Sequence, residues 1–181
     1  MKVLYFHGYG SSKDSLTAKE LAKHFDVKSI TYRTDDAISA WKVLDEWVER
    51  EVMKDPFTIL VGSSLGGFWA NMFGQQYKLD TILINPSLNP CESLKKYIEL
   101  SSGDLESYSL VQNNLVEFAV IPRKIFLGTE DKVVSFDRSS MIAISSKIIE
   151  LQGEGHVLND LTPVINSIIE SYNQITDDPI I

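Results

Sequence analysis

The sequence holds a single cysteine, Cys91, so no disulfide closes within the chain, and without a CxxC pair a thiolate metal site is not expected. HExxH and EF-hand patterns are missing too, and neither metal nor cofactor is expected. Cations are scarce, 17 Lys and Arg against 25 Asp and Glu, for a formal net charge of −8. That sign argues against nucleic acid or an anionic membrane as partner, since both are held by clustered Lys and Arg. No apolar run approaches the roughly 20 residues of a membrane helix. The apolar stretch of MKVLYFHGYG is too brief for a signal peptide. These absences lead to the expectation of a reducing, cytoplasmic location and leave the oligomeric state open.

What is present is the composition of a folded domain, with 44% hydrophobic and 23% charged residues over 181 positions. One domain spanning 1–181 with a sizeable core is expected. Short β-rich runs recur at 2–6, 27–31, 57–62, 80–84, 124–128 and 147–152. Their near-continuous Val, Ile, Leu and Phe content predicts about six strands buried on both faces of a mainly parallel sheet. Helical patterns lie between them. In 37–53 the residues Trp41, Leu44, Val48 and Val52 repeat at helical spacing, with Lys42, Asp45, Glu46 and Glu49 outward. A last helix starts from Thr162 as N-cap with Pro163 at its first position, and turns Val164, Ile165, Ile168, Ile169 and Tyr172 inward. The alternation predicts an α/β fold, a three-layer α/β/α sandwich whose site lies at the carboxyl ends of the strands. The interval 86–122 breaks the rhythm, and ESLKKYIEL and LVQNNLVEFAV read as short helices of a small inserted cap.

The segment ILVGSSLGGFWA carries Gly62, Ser64 and Gly66 in the pattern GxSxG. After a strand and before a helix, that pattern places a serine on a sharp, strained turn that lifts its hydroxyl above the sheet, the flanking glycines making room. Taken alone, the pattern reads equally as a flexible glycine-serine turn. A serine hydroxyl is a weak nucleophile at neutral pH and needs an imidazole base and a carboxylate to orient it. Of three histidines, His24 follows an early helix as a surface residue, and His7 sits before a glycine turn where it fixes the loop by hydrogen bonding. His156, in QGEGHVLND after the last strand, follows the serine in the required chain order and is the candidate base. GTEDKVV, beyond the strand at 124–128, supplies Asp131 as the candidate carboxylate, with Glu130 beside it offering the same chemistry. Asp137 reads as the start of a following helix. The oxyanion donors expected are the backbone N–H groups of Leu65, at the helix start, and of Tyr9, in the HGYG loop after the first strand. Ser11 and Ser12 stabilise that turn, and Phe68 and Trp69 read as core.

HGYGSS, GSSLGG, GTEDKVV and GEGHVLND, in that order, resemble the α/β hydrolase superfamily over nearly the whole chain, and look most like the small YqiA-like esterases. The resemblance implies a compact α/β hydrolase fold and a Ser64, His156, Asp131 triad. It also implies hydrolysis of a small-molecule carboxylic ester or thioester without cofactor, through an acyl-enzyme. Larger members carry additional N-terminal strands and a fuller cap, so the resemblance points to a shallow pocket for short acyl chains. Asp14, Glu130 and Glu154 near the site disfavour anionic substrates. Two other readings compete with this one. A nucleotide-binding module is suggested by the first glycine loop, but GYGSSK puts Lys13 where GxGxxG needs its third glycine. The other keeps the fold as a binding module without turnover.

Overall fold

The computed structural model describes residues 1–97, 102–113, 121–134 and 147–177. Six parallel strands form one sheet in the order β2-β1-β3-β4-β5-β6. They are β1 (Lys2–Phe6), β2 (Asp26–Lys28), β3 (Thr58–Ser63), β4 (Thr81–Ile84), β5 (Arg123–Gly128) and β6 (Lys147–Leu151). The described helices are α1 (Leu16–Leu21), α2 (Ala37–Lys54), α3 (Leu65–Tyr77), α4 (Pro90–Tyr97), α5 (Ser102–Asn113) and α6 (Thr162–Asp177).

The period of two along each strand divides the core in two. Val3, Tyr5, Ile59, Val61, Ile82, Ile84 and Phe126 face α1 and α6, whose Ala18, Leu21, Val164 and Ile168 meet them. Leu4, Phe6, Leu60, Leu83, Ile125 and Leu127 face the other way, toward α2, α3, α4 and α5. Three layers result. Phe68 and Trp69 belong to this second core, both at most 2% exposed.

The edges and helix boundaries differ from the sequence expectation. β2 stops at Lys28 rather than Thr31, and its residues are exposed or half-buried. The hydroxyls that follow find partners of their own, Ser29 Oγ donating to Tyr5 O on β1 and Thr31 Oγ1 accepting from the Lys13 N–H in the loop before α1. β6, the other edge, is also partly exposed. On α2 the buried stripe runs Ala37, Ala40, Leu44, Trp47, Val48 and Glu51, whereas Trp41 is 38% exposed. At about 100° per residue the stripe is centred between Leu44 and Glu51, which leaves Trp41 at its edge, about 70° from the centre. Glu51 enters this stripe because Lys2 meets it at 3.0 Å.

α6 begins at Thr162 itself, so the cap lies one residue earlier than expected, and Asp160 Oδ1 accepts from the Thr162 N–H. Ile169 turns outward while Ser167 and Ser171 are buried. In the interval 86–122, α4 starts at Pro90 and α5 at Ser102, eight residues before the expected LVQNNLVEFAV. Both pack into the main core through Leu94, Tyr108 and Val111. Residues 114–120, Asp137 and the end of the TDDPII tail lie outside the described residues. Among the described residues no helix is long and apolar enough to cross a membrane.

Candidate active site

β3 ends at Ser63 and α3 begins at Leu65, and the residue between them, Ser64, has φ 54° and ψ −123°. Such a conformation in a residue with a Cβ costs on the order of 1–3 kcal/mol and persists only where the surroundings enforce it. Here they do so through the backbone: Ser64 N–H donates to Ile84 O, and Ser64 O accepts from the Gly67 and Ser87 N–H groups, all at 2.9 Å. A Cβ on Gly62 would lie 2.2 Å from Gly66 O, and one on Gly66 would lie 2.0 Å from Phe6 O. Both positions therefore exclude any side chain. Leu65 occupies the first helical position, where no intrahelical carbonyl is available to its N–H.

The loop after β1 passes beside that hydroxyl, since a Cβ on Gly8 would sit 3.7 Å from Ser64 Oγ. The Gly8–Tyr9 peptide thus runs against the Ser64 side chain. Ser11 N–H closes the turn onto Gly8 O at 3.2 Å, and Gly10 N–H donates to Thr34 Oγ1 at 3.1 Å. Ser12 Oγ accepts from the Asp14 N–H. His7, fully buried, stacks on Tyr32 with ring centroids 4.2 Å apart. Its Nδ1 lies 2.9 Å from Gly8 O and its Nε2 faces the Tyr32 N–H, an arrangement that assigns the neutral Nδ1–H tautomer. Burial pushes the His7 pKa down and so reinforces the neutral form. His24 is exposed.

Beyond β5, Asp131 Oδ2 lies 2.8 Å from His156 Nδ1, and its side chain has no solvent exposure. Asp131 Oδ1 accepts from the Val133 and Val134 N–H groups at 2.7 and 3.2 Å. Burial alone would raise the Asp131 pKa. The bonds from His156, Val133 and Val134 outweigh it, so the carboxyl is held below its ordinary value. With an ionised acceptor at Nδ1, the imidazole carries its proton there and leaves Nε2 as an acceptor. Glu130 is exposed and reaches Glu154 O through its backbone N–H. Among the described residues Ser64 Oγ has no hydrogen bond to His156. In free hydrolases such bonds often tighten only when substrate binds.

Ser64 and His156 line one cavity of about 610 Å³ at the carboxyl ends of the strands. Gly8, Tyr9, Ser63, Ser87, Leu94 and Val134 are among the other residues of its wall, and the exposed Leu16, Val133 and Val157 form its rim. Ser63 lies beside the buried Tyr5 phenol, whose pKa burial raises. Of the three acidic residues expected near the site, only Asp14 borders the cavity, and it is paired with Lys13 at 3.1 Å. Glu154 instead braces the loop after His156, its carboxylate accepting from the Asn159 and Asp160 N–H groups. Sequence reasoning missed the rim, and it missed Ser87 and Ser93, which are hydrogen-bonded to each other at the cavity wall. No motif marks those positions.

Comparison with known proteins agrees with this arrangement of strands and loops. Est1E from Butyrivibrio proteoclasticus, solved with ferulic acid bound, superposes with a TM-score of 0.75 at 12% identity, covering 98% of this chain and 90% of that one. A UPF0227 protein of Shewanella loihica is 32% identical over 97 residues, 51% of this chain and 54% of that relative. One from Pasteurella multocida is 27% identical over 149 residues, 77% of this chain and 81% of the relative. The fold is that of the α/β hydrolases. The family model described as "Uncharacterised protein family (UPF0227)" matches residues 2–172, from β1 through the His156 loop into α6, and this chain belongs to that family.

Proposed function

We propose that this protein is a serine hydrolase that cleaves carboxylic esters or thioesters of short acyl chain. The observation that carries the reading is a serine at φ 54° sharing one cavity with an imidazole whose Nδ1 is bonded to a fully buried carboxylate. Ser64 Oγ attacks the carbonyl carbon while His156 Nε2 takes its proton, and Asp131 orients and stabilises the imidazolium. The Tyr9 and Leu65 N–H groups receive the developing oxyanion, one from the loop beside Ser64 and one from the start of α3. Collapse of the tetrahedral species expels the alcohol or thiol with the proton from His156. Water, activated by the same imidazole, then releases the acid from the acyl-enzyme.

The cavity supports the substrate class. Its volume of about 610 Å³ suits a small ester, and its exposed rim opens it to solvent instead of extending it into an acyl tunnel. Among the described residues no Lys or Arg lines it and Asp14 stands at its edge, which favours an uncharged substrate around the scissile bond. Purified protein assayed on 4-nitrophenyl esters from acetate to palmitate tests this directly. Turnover is expected to peak at short chains and to fall at least 10³-fold in Ser64→Ala. Undiminished turnover in that variant overturns the mechanism, and fastest hydrolysis of the longest chains overturns the acyl preference.

A further inference from the structure

The strand-end residue Asn85 lies outside the attacking groups yet touches both loops that carry them. It is fully buried at the end of β4, with φ 42°, a left-handed conformation that asparagine adopts more readily than most residues. Its Nδ2 donates to Gly155 O and to His156 O, both at 2.9 Å. Its Oδ1 accepts from the Gly128 N–H at 2.8 Å. All three partners are backbone groups, so the amide orientation is fixed: reversal would set the NH2 against an N–H and the oxygen against two carbonyls. Gly128 in turn receives the Asp131 N–H on its carbonyl. A Cβ on Gly128 would lie 2.4 Å from Glu154 O and 2.5 Å from Gly155 O, so the two loops are in backbone contact where the amide joins them.

We infer that Asn85 is a positioning residue that sets the separation of the Asp131 and His156 loops, and through it the imidazole–carboxylate bond. The inference rests on the reading of Ser64, His156 and Asp131 given above. Loss of the amide leaves one N–H and two carbonyls without partners at the junction, and the loops can then part by more than the tolerance of a 2.8 Å bond. An aspartate of the same shape fails too, because its oxygens would face the Gly155 and His156 carbonyls without a proton to donate.

The test compares the unaltered protein with Asn85→Ala, Asn85→Asp and Asn85→Ser on a 4-nitrophenyl ester, with proton NMR of the downfield His156 Nδ1–H signal. Folded Asn85→Ala and Asn85→Asp are expected to lose about 10²-fold in kcat with KM changed less than about threefold, the scale of a 1 Å misplacement. The Nδ1–H signal is expected to disappear into exchange with water. If those variants do not fold, Asn85→Ser, which keeps one donor but cannot reach both carbonyls, is expected to show the same pattern at smaller scale. A folded variant that keeps both the signal and kcat within about threefold overturns the inference, because a purely structural role would lower the thermal midpoint and move neither. Absence of ester turnover in the unaltered protein strikes the proposed function alone, since the NMR signal reports on Asn85 without it.

Discussion

Replacing Asp131 by Asn leaves the shape of the site unchanged and reverses one hydrogen bond, and the structure determines which one. Oδ1 of Asp131 accepts from two backbone N–H groups, Val133 at 2.7 Å and Val134 at 3.2 Å. An asparagine amide must keep its oxygen there, because an NH2 in that place would face two donors and forfeit two bonds, each costing about 1–3 kcal/mol when buried. The NH2 is therefore aimed at His156 Nδ1, now 2.8 Å from Oδ2. The ring must then accept at Nδ1 and carry its proton on Nε2, the tautomer that cannot take a proton from Ser64. Fixing the wrong tautomer corresponds to about 10⁴ in turnover, or roughly 5.5 kcal/mol of barrier at 1.36 kcal/mol per tenfold. The assay is kcat on a short-chain 4-nitrophenyl ester for Asp131→Asn beside Asp131→Ala, with thermal midpoints for both. Asp131→Asn is expected to lose at least as much activity as Asp131→Ala while losing less stability. Activity of Asp131→Asn within about tenfold of the unaltered protein would refute the tautomer argument.

Gly66→Ala drives a methyl to within 2.0 Å of Phe6 O, a backbone atom of a central strand, so stability is expected to fall by about 3 kcal/mol or more in urea titration. Gly155→Ala, whose added methyl meets open space, is expected to stay within about 1 kcal/mol; equal losses for the two would show that the close approach at Gly66 does not matter. Glu51 is held at about 2, chiefly by its bond from Lys54 and then by that from Lys2, against an ordinary 4.5. A lowered carboxylate contributes stability that is fully present above its unfolded pKa and is lost as pH falls through the folded one. Glu51→Gln is thus expected to cost on the order of 2 kcal/mol near neutrality. Its difference from the unaltered protein should shrink between about pH 4.5 and pH 2, and a gap independent of pH would contradict this account. Tyr108→Phe removes the 2.8 Å bond to Thr34 O, on the residue whose hydroxyl holds Gly10 N–H. It is expected to cost about 1 kcal/mol in thermal unfolding and several-fold in turnover, and an unchanged kcat would uncouple α5 from the Tyr9 loop.

The central strands were legible because β1, β3 and β4 are buried on both faces and their composition states it without ambiguity. The edges were not, since β2 ends where the Ser29 and Thr31 hydroxyls find partners on β1 and in the loop before α1, an event set by tertiary contact. On α2, Trp41 and Trp47 are equally apolar in sequence, and only the placement of Ala37 and Ala40 against the core decides which is covered. The positions of Ser64 and His156 at the strand ends could be read from the glycines around them and from chain order. Asp131 and Glu130 could not be separated that way, because what distinguishes them is direction: one carboxylate points at His156 and the other side chain at water. No motif marks Asn85. Its partners are backbone groups 43, 70 and 71 residues away, and such contacts leave no pattern in a sequence.

The central claim is that the strained elbow makes Ser64 the nucleophile. Labelling the native protein with a fluorophosphonate and locating the adduct by peptide mass spectrometry tests it most directly. The account predicts a single adduct on Ser64, absent from Ser64→Ala and strongly slowed in His156→Ala. An adduct on neighbouring Ser63, or labelling that persists in Ser64→Ala, would contradict it.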